Sequence, residues 1–342
     1  MSLKGRLILF ASSIHTGGGL VLLKAILNAD DLPRIVVFID ARALQFLKIP
    51  QHVEVVVVHP NLFDRFKVQW TLHKVVKSDD ILLCLQGMPP FFKSRGKVVV
   101  FQQNRLALGQ YSLSGYPLKS RIQIIIHRWI GRLLKGRVKT WFVQTPSMQR
   151  DLEAWYGHPP NVRVLPFADT ALNLTVDKDA APLWDFVFVA DGLPHKNHKN
   201  LLGAWRLLAS DGIRPSLALT LGSRDVFLAR TLSEFAQNHG LRIQNLGHLE
   251  HQEVLALYKR SRALIYPSMM ESFGLPLIEA ATCGLPIIAP ELDYVREVCE
   301  PVETFDANSP MSIARAVRRF LGYRGPSIQM HSAAEFIREV CQ

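Results

Sequence analysis

The chain has 342 residues, 48% of them hydrophobic and 20% charged; this excludes a disordered protein, and the length suits two ordinary domains better than one core. No apolar run reaches the roughly 18 residues that cross a bilayer, and Leu7-Ile8-Leu9-Phe10, behind a basic start, is too short for a secretory signal and lacks a small-residue cleavage site, so a cytoplasmic location is expected. The net charge of +11 is uneven, with 23 Lys and Arg against 10 Asp and Glu in residues 1–170 and 17 against 19 in the rest, which points to an anionic partner for the first half: nucleic acid, a membrane surface or a phosphorylated substrate.

Short β-branched runs alternate with longer amphipathic stretches along the chain. Arg6–Ala11, Arg34–Asp40, Val53–Val58, Ile81–Leu85, Val98–Gln102 and Thr140–Val143 read as strands, most of them apolar throughout, as strands covered on both faces are. Helical patterns fall between them at Leu20–Leu27 and Phe63–Val76. Gly17-Gly18-Gly19 stands between the first strand and the first helix, where a glycine turn lets backbone approach a phosphate or a sugar. Residues 118–139 place apolar side chains at Leu118, Ile122, Ile125, Ile126, Trp129, Ile130, Leu133 and Leu134, with Arg121, Arg128, Arg132 and Lys135 between them. That pattern fits a crossover helix packed on a sheet, and equally a basic helix lying on an anionic membrane surface.

Residues 168–183 are polar and aperiodic and read as a linker between domains at 1–167 and 184–342. Asp177-Lys178-Asp179 within it reads as a solvated charge cluster. Strands are then expected at Asp185–Ala190, Ser216–Leu221, Ile243–Leu246, Ala263–Tyr266 and Pro286–Ala289, and helices at Leu201–Leu208, Val226–Gln237, Val254–Arg260 and Leu275–Ala281. The expectation is α/β: two Rossmann-like, doubly wound domains facing each other across a cleft, with ligands beyond the carboxyl ends of the strands. Cys84, Cys283, Cys299 and Cys341 are far apart without a Cys-x-x-Cys pair, so neither a zinc site nor a disulfide framework is expected.

One segment, ALIYPSMMESFGLPLIEAATCGLPIIAPELDYVREV at 263–298, carries most of the functional information. A strand ends at Tyr266-Pro267-Ser268, and Glu271-Ser272-Phe273-Gly274 leads into a helix that opens at Leu275-Pro276. Proline suits a first turn because its missing N–H had no partner there. The free N–H groups of Phe273, Gly274 and Leu275 make an anion site at that helix start, with Glu271 just before the helix and Glu279 two turns into it.

This arrangement resembles the signature of the retaining glycosyltransferases of family 4, the group 1 enzymes of the GT-B fold, whose Glu-x7-Glu is matched by Glu271 and Glu279. The resemblance implies that Glu279 holds the ribose hydroxyls of a nucleotide, that Glu271 contacts the transferred sugar, and that the amides of Phe273 to Leu275 lie near a diphosphate. It makes Lys196, within FVFVADGLPHKNHKNLLGAW at 186–205, the diphosphate-binding lysine, and sets Gly18 and Gly19 across the cleft from the donor. Many members carry arginine five residues before that lysine, where this chain has Asp191. Lys199, His195 or Arg224 then supplies the second charge, or the site works with one. Members also often place a histidine after an N-domain strand; the counterpart here, Val98 to Arg105, has none, and Gln102 to Asn104 are left to offer hydrogen bonds.

The implied function is retaining transfer of a sugar from a UDP- or GDP-sugar, without a metal cofactor, to a saccharide acceptor, lipid-linked or of the cell envelope (lipopolysaccharide, O-antigen or exopolysaccharide). The protein would be peripheral on the inner face of the membrane through 118–139. A nucleotide-sugar epimerase of the same architecture, or a non-catalytic nucleotide-sugar- or nucleic-acid-binding protein, are the alternatives. For nucleic acid neither base-stacking aromatics nor a recognition helix stands out, so none is expected as a partner.

Overall fold

The computed structural model describes residues 5–30, 32–159, 161–168 and 181–323, together with 332, 333, 335 and 338. Most of the expected linker, with Asp177-Lys178-Asp179, lies outside the described residues, as does Cys341.

The first half forms a seven-stranded parallel sheet from β1 (Leu7–Ala11), β2 (Ile35–Asp40), β3 (Glu54–Val58), β4 (Ile81–Cys84), β5 (Lys97–Phe101), β6 (Thr140–Val143) and β7 (Val162–Val164), in the order β3-β2-β1-β4-β5-β6-β7. Alternation along each strand divides the core in two. Ile8 and Phe10 join Val36 and Phe38 on one face, while Leu9 and Ala11 join Val37 and Ile39 on the other. The helices α1 (Gly17–Leu27), α2 (Leu62–Val75), α3 (Leu118–Leu134) and α4 (Pro146–Tyr156) connect these strands.

The second half repeats the plan with six parallel strands: β8 (Trp184–Phe188), β9 (Leu217–Leu219), β10 (Ile243–Asn245), β11 (Ser261–Ile265), β12 (Ile287–Pro290) and β13 (Glu303–Phe305), ordered β10-β9-β8-β11-β12-β13. The helices α5 (His198–Ser210), α6 (Val226–Asn238), α7 (His251–Lys259), α8 (Leu275–Thr282), α9 (Asp293–Arg296) and α10 (Pro310–Phe320) follow in turn. The described residues therefore form two doubly wound α/β units, as the strand–helix rhythm predicts.

Each sheet reverses its winding at one place, between β1 and β4 in the first and between β8 and β11 in the second. Loops leaving two such strands run in opposite directions and open a crevice at the carboxyl ends. Gly17-Gly18-Gly19 follows β1, Lys196 follows β8, and Glu271 to Leu275 follow β11, so both crevices carry residues singled out in the sequence.

Five elements escaped the sequence reading. β7 and β13 are three residues each, too short for a periodic signal, and α9 is a single turn. α4 is legible in hindsight from its ends: the Thr145 hydroxyl accepts from the Met148 N–H at 3.3 Å, Pro146 follows, and Gly157 closes the helix at φ +73°. α10 begins in the same way, with Ser309 capping Ser312 at 3.1 Å and Pro310 next.

Candidate active site

The loops after β8 and β11 meet at Lys196 and Glu271. Lys196 Nζ lies 2.6 Å from Glu271 Oε1, with both side chains nearly buried. The hydroxyl of buried Tyr266 donates to the same oxygen at 2.9 Å. Burial, the largest single influence, opposes ionisation of Glu271, but the charge and hydrogen bond of Lys196, with smaller help from its other neighbours, together outweigh it and hold the carboxyl below its ordinary value. The site is therefore an ion pair at neutral pH.

Local backbone geometry aims the lysine. Asn197 adopts φ +66°, and its amide donates to the carbonyls of Pro267 at 3.0 Å and Ala307 at 2.7 Å. The His195 carbonyl accepts from the Met269 N–H at 2.8 Å. These bonds tie the two loops to each other. Behind them His198 packs on Phe188, and burial together with the Lys196 charge pushes its imidazole down to about 4.

Gly274 stands at φ +74° immediately before α8, so the chain turns into the helix with Leu275 and Pro276 in its first turn. Across the cleft, a Cβ added at Gly18 would lie 3.5 Å from Leu275 Cδ1. The first turns of α1 and α8 thus face each other, and both helix amino ends are directed at one region. At Gly19 an added Cβ would meet Ile14 Cγ2 at 3.3 Å and Gln103 Oε1 at 3.4 Å, so the loop admits nothing larger without displacement.

Glu279 sits in the second turn of the eight-residue α8 and is held separately from Glu271. His251 Nε2 lies 3.2 Å from Glu279 Oε1, and the Tyr258 hydroxyl donates to Oε2 at 3.3 Å. The two carboxylates thus have different neighbours: lysine and tyrosine for Glu271, histidine and tyrosine for Glu279.

Among the candidates for a second positive charge, Arg224 reaches the glycine loop, donating from Nη1 to Thr16 Oγ1 at 3.2 Å. His195 instead meets Tyr116 of the first half, with Nδ1 2.6 Å from the hydroxyl. Burial, then the Lys196 charge, lowers the His195 pKa. Burial, then Asp191, pushes Tyr116 up to about 12, so this contact joins two neutral groups. Lys199 is exposed on α5, and Asp191 accepts from the Leu193 N–H at 3.3 Å within its own loop.

Gln102 to Asn104 spend most of their hydrogen bonds on backbone nearby. Gln102 donates to the Asn104 carbonyl at 2.8 Å, Gln103 to the Leu85 carbonyl at 3.0 Å, and Asn104 accepts from the Leu106 N–H at 3.0 Å. The Gln102 and Asn104 amides turn inward on their own loop, whereas Gln103 bonds to the loop after β4 and keeps its Oε1 towards Gly19. The residue that crosses is Arg105, buried yet basic. Its Nη1 donates to the Glu271 carbonyl at 2.6 Å, its N–H donates to Ser272 Oγ at 3.1 Å, and its Nε pairs with Asp151 at 2.6 Å. Nothing in the local sequence marks Arg105 as different from other arginines, since its partners lie 46 to 167 positions away.

A two-domain, doubly wound α/β protein with its candidate site between the domains has the GT-B architecture. Residues 180–335 match the family model described as glycosyl transferases group 1. The serotype-specific mannosyltransferase WbdA of Escherichia coli is 32% identical over 157 residues, which cover 45% of this chain and 19% of that protein. The O-antigen chain mannosyltransferase B of Escherichia coli is 32% identical over 108 residues, 31% of this chain and 28% of that protein. The chain thus spans less than a third of the length of these curated relatives. In fold it is similar to Anabaena HepE, whose crystal structure is in complex with UDP and glucose, at a TM-score of 0.68 and 16% identity over 93% of this chain and 90% of that one. Together these likenesses show the GT-B fold for the chain and a sequence resemblance of its second half to group 1 glycosyl transferases.

Proposed function

We propose that this protein is a retaining glycosyltransferase of family 4, taking a hexosyl group from a UDP- or GDP-sugar and needing no metal. The observation that carries the reading is the Lys196–Glu271 pair, 2.6 Å apart, in the crevice that the amino ends of α1 and α8 both face. Lys196 and the amides of Phe273 to Leu275 would neutralise the diphosphate as the bond from sugar C1 to phosphate oxygen breaks. Glu271, ionised and fixed by Lys196 and Tyr266, would contact the sugar, and Glu279 would accept from the ribose hydroxyls. The acceptor hydroxyl attacks C1 on the face the leaving group departs from, and its proton passes to the departing phosphate oxygen. Gly18 and Gly19 keep the opposite wall low enough for the donor.

Likeness to mannosyltransferases of surface polysaccharide supports an acceptor of the cell-envelope saccharide class, lipid-linked and met at the inner face of the membrane, with α3 towards the lipid. None of the described helices is long and apolar enough to cross a membrane, so such an association would be peripheral.

A thermal-shift screen against UDP, GDP and their sugars tests the donor site. One nucleotide series at about 100 times its Kd should raise the midpoint by about 5–10 °C, and Glu279→Ala should remove most of that rise. A folded protein that responds to neither series would overturn the reading. Donor turnover to an isomeric sugar without an acceptor would replace it with an epimerase.

A further inference from the structure

α3 turns its apolar stripe away from the protein. Leu118, Ile122, Ile125, Ile126, Trp129 and Leu133 recur at helical spacing and are all exposed, Trp129 by 58% and Leu133 by 79%. The opposite side holds the helix in place. Arg128 donates to the carbonyls of Leu106 and Tyr111, both at 2.9 Å, and Gly131 fits against the Tyr156 hydroxyl, where an added Cβ would come within 2.7 Å. α3 is therefore a crossover helix anchored through Arg128, Gly131 and Ile124, which packs on the Leu106, Leu113, Tyr116 and Met270 cluster, with the rest of its oily side left over.

α2 shows the same inversion. Leu62 is 86% exposed and Phe63 76%, and Phe66 and Trp70 continue the ridge. Phe66 and Trp70 pack edge-on against Phe92 at 5.7 and 5.4 Å, with exposed Phe91 beside them. Arg137, in the turn after α3, donates to the carbonyls of Pro90 and Phe91. The end of α3 thus abuts the loop on which the α2 aromatics rest. Exposed cations fringe both parts, Lys67, Lys93 and Arg95 beside α2 and Lys119 and Arg121 on α3. The acid of α2, Asp64, is tied to Asn61 at its amino end.

We propose that α2, the Phe91–Phe92 loop and α3 form one face that lies in the headgroup layer of a bilayer containing anionic lipid. Exposed apolar area of this extent calls for an occupant. Aromatic and aliphatic side chains fringed by lysine and arginine match an interface with an apolar interior and a negative surface. A second copy of this chain matches poorly, because self-association would set like charges against each other. The face also starts at the cleft: α3 follows Pro117, and Tyr116 beside it touches His195, the neighbour of Lys196. Resting on the glycosyltransferase reading, this deepens it: the acceptor is drawn from that bilayer at the rim of the site.

Sedimentation of the full chain with phosphatidylcholine vesicles, with and without phosphatidylglycerol, tests the face. The chain should pellet with anionic vesicles, less so at high salt, and weakly with neutral ones. Leu62→Ser with Phe63→Ser should weaken partition about tenfold or more, as should Trp129→Ser with Leu133→Ser, because each pair removes two large apolar groups from the interface. Nucleotide-induced thermal shifts should be unchanged in both pairs, which also shows that they fold. Equal partition onto neutral and anionic vesicles, no loss in either pair, or a wild-type dimer in light scattering that either pair dissolves would each overturn the proposal. Failure of the donor screen with vesicle binding intact would sink the enzymatic reading and leave the lipid face standing.

Discussion

Lys196 and Glu271 hold each other in position after both have been taken out of water. Removing one partner strands the other charge in a low dielectric, which is far worse than the pair is good. Lys196→Ala is expected to lower stability by about 3 kcal/mol in urea unfolding and donor turnover by about 10²–10³-fold in initial rates. The pair also sets a pH dependence. The folded carboxyl of Glu271 lies below its ordinary value of 4.5, so the native state favours the ionised form. That stability is fully present above the ordinary value and is lost as pH falls through the lowered one. Unfolding measured from neutral to acid pH should therefore show a steeper acid loss in wild type than in Glu271→Gln. In the sequence both residues stood out through the resemblance to the glycosyltransferase signature, Glu271 by its spacing from Glu279 and Lys196 by its place in the stretch 186–205. It said nothing of Tyr266, which reads as an ordinary strand-end aromatic.

At the scale of single elements, α8 depends on how the chain enters it. Gly274 must stand at φ +74°, and an added Cβ would also come within 3.1 Å of Leu277 Cδ1. Gly274→Ala is expected to cost about 1–2 kcal/mol from the left-handed backbone alone and to weaken nucleotide binding by turning the flanking amides; urea unfolding and the thermal-shift screen read the two effects. This entry was legible beforehand, because a Gly-Leu-Pro start is a local code. The orientation of α3 was not. Its periodicity predicts a helix, and periodicity is indifferent to whether the apolar side meets a sheet or faces outward. That choice is made by Arg128 and Gly131, whose partners lie elsewhere in the chain.

Across the whole molecule the two domains are joined at the candidate site itself. Arg105 of the first half holds the carbonyl of Glu271, and Met270 packs with Leu106, Leu113 and Tyr116. Farther out, the Glu297 carboxylate accepts from the N–H and hydroxyl of Ser147 at 2.7 and 2.6 Å, at the amino end of α4. Arg105 acts through Glu271 as a positioning residue. Arg105→Ala should lower kcat about 10–100-fold while leaving nucleotide affinity within about threefold, because the proposed nucleotide contacts belong to the second domain. Steady-state rates and equilibrium nucleotide binding separate these effects.

Local information therefore determined the rhythm of strands and helices, the doubly wound class and the segment from Glu271 to Glu279, since each rests on residues within a few turns of one another. Tertiary structure alone decided which loops meet. The strand orders bring Lys196 within 2.6 Å of Glu271 across 75 positions of sequence, and domain packing brings Arg105 to the Glu271 carbonyl across 166. It also decided that the oily side of α3 faces outward. Long-range pairing leaves no periodic trace in a chain, because what selects each partner is the shape and charge of a surface that exists only once both sheets have formed.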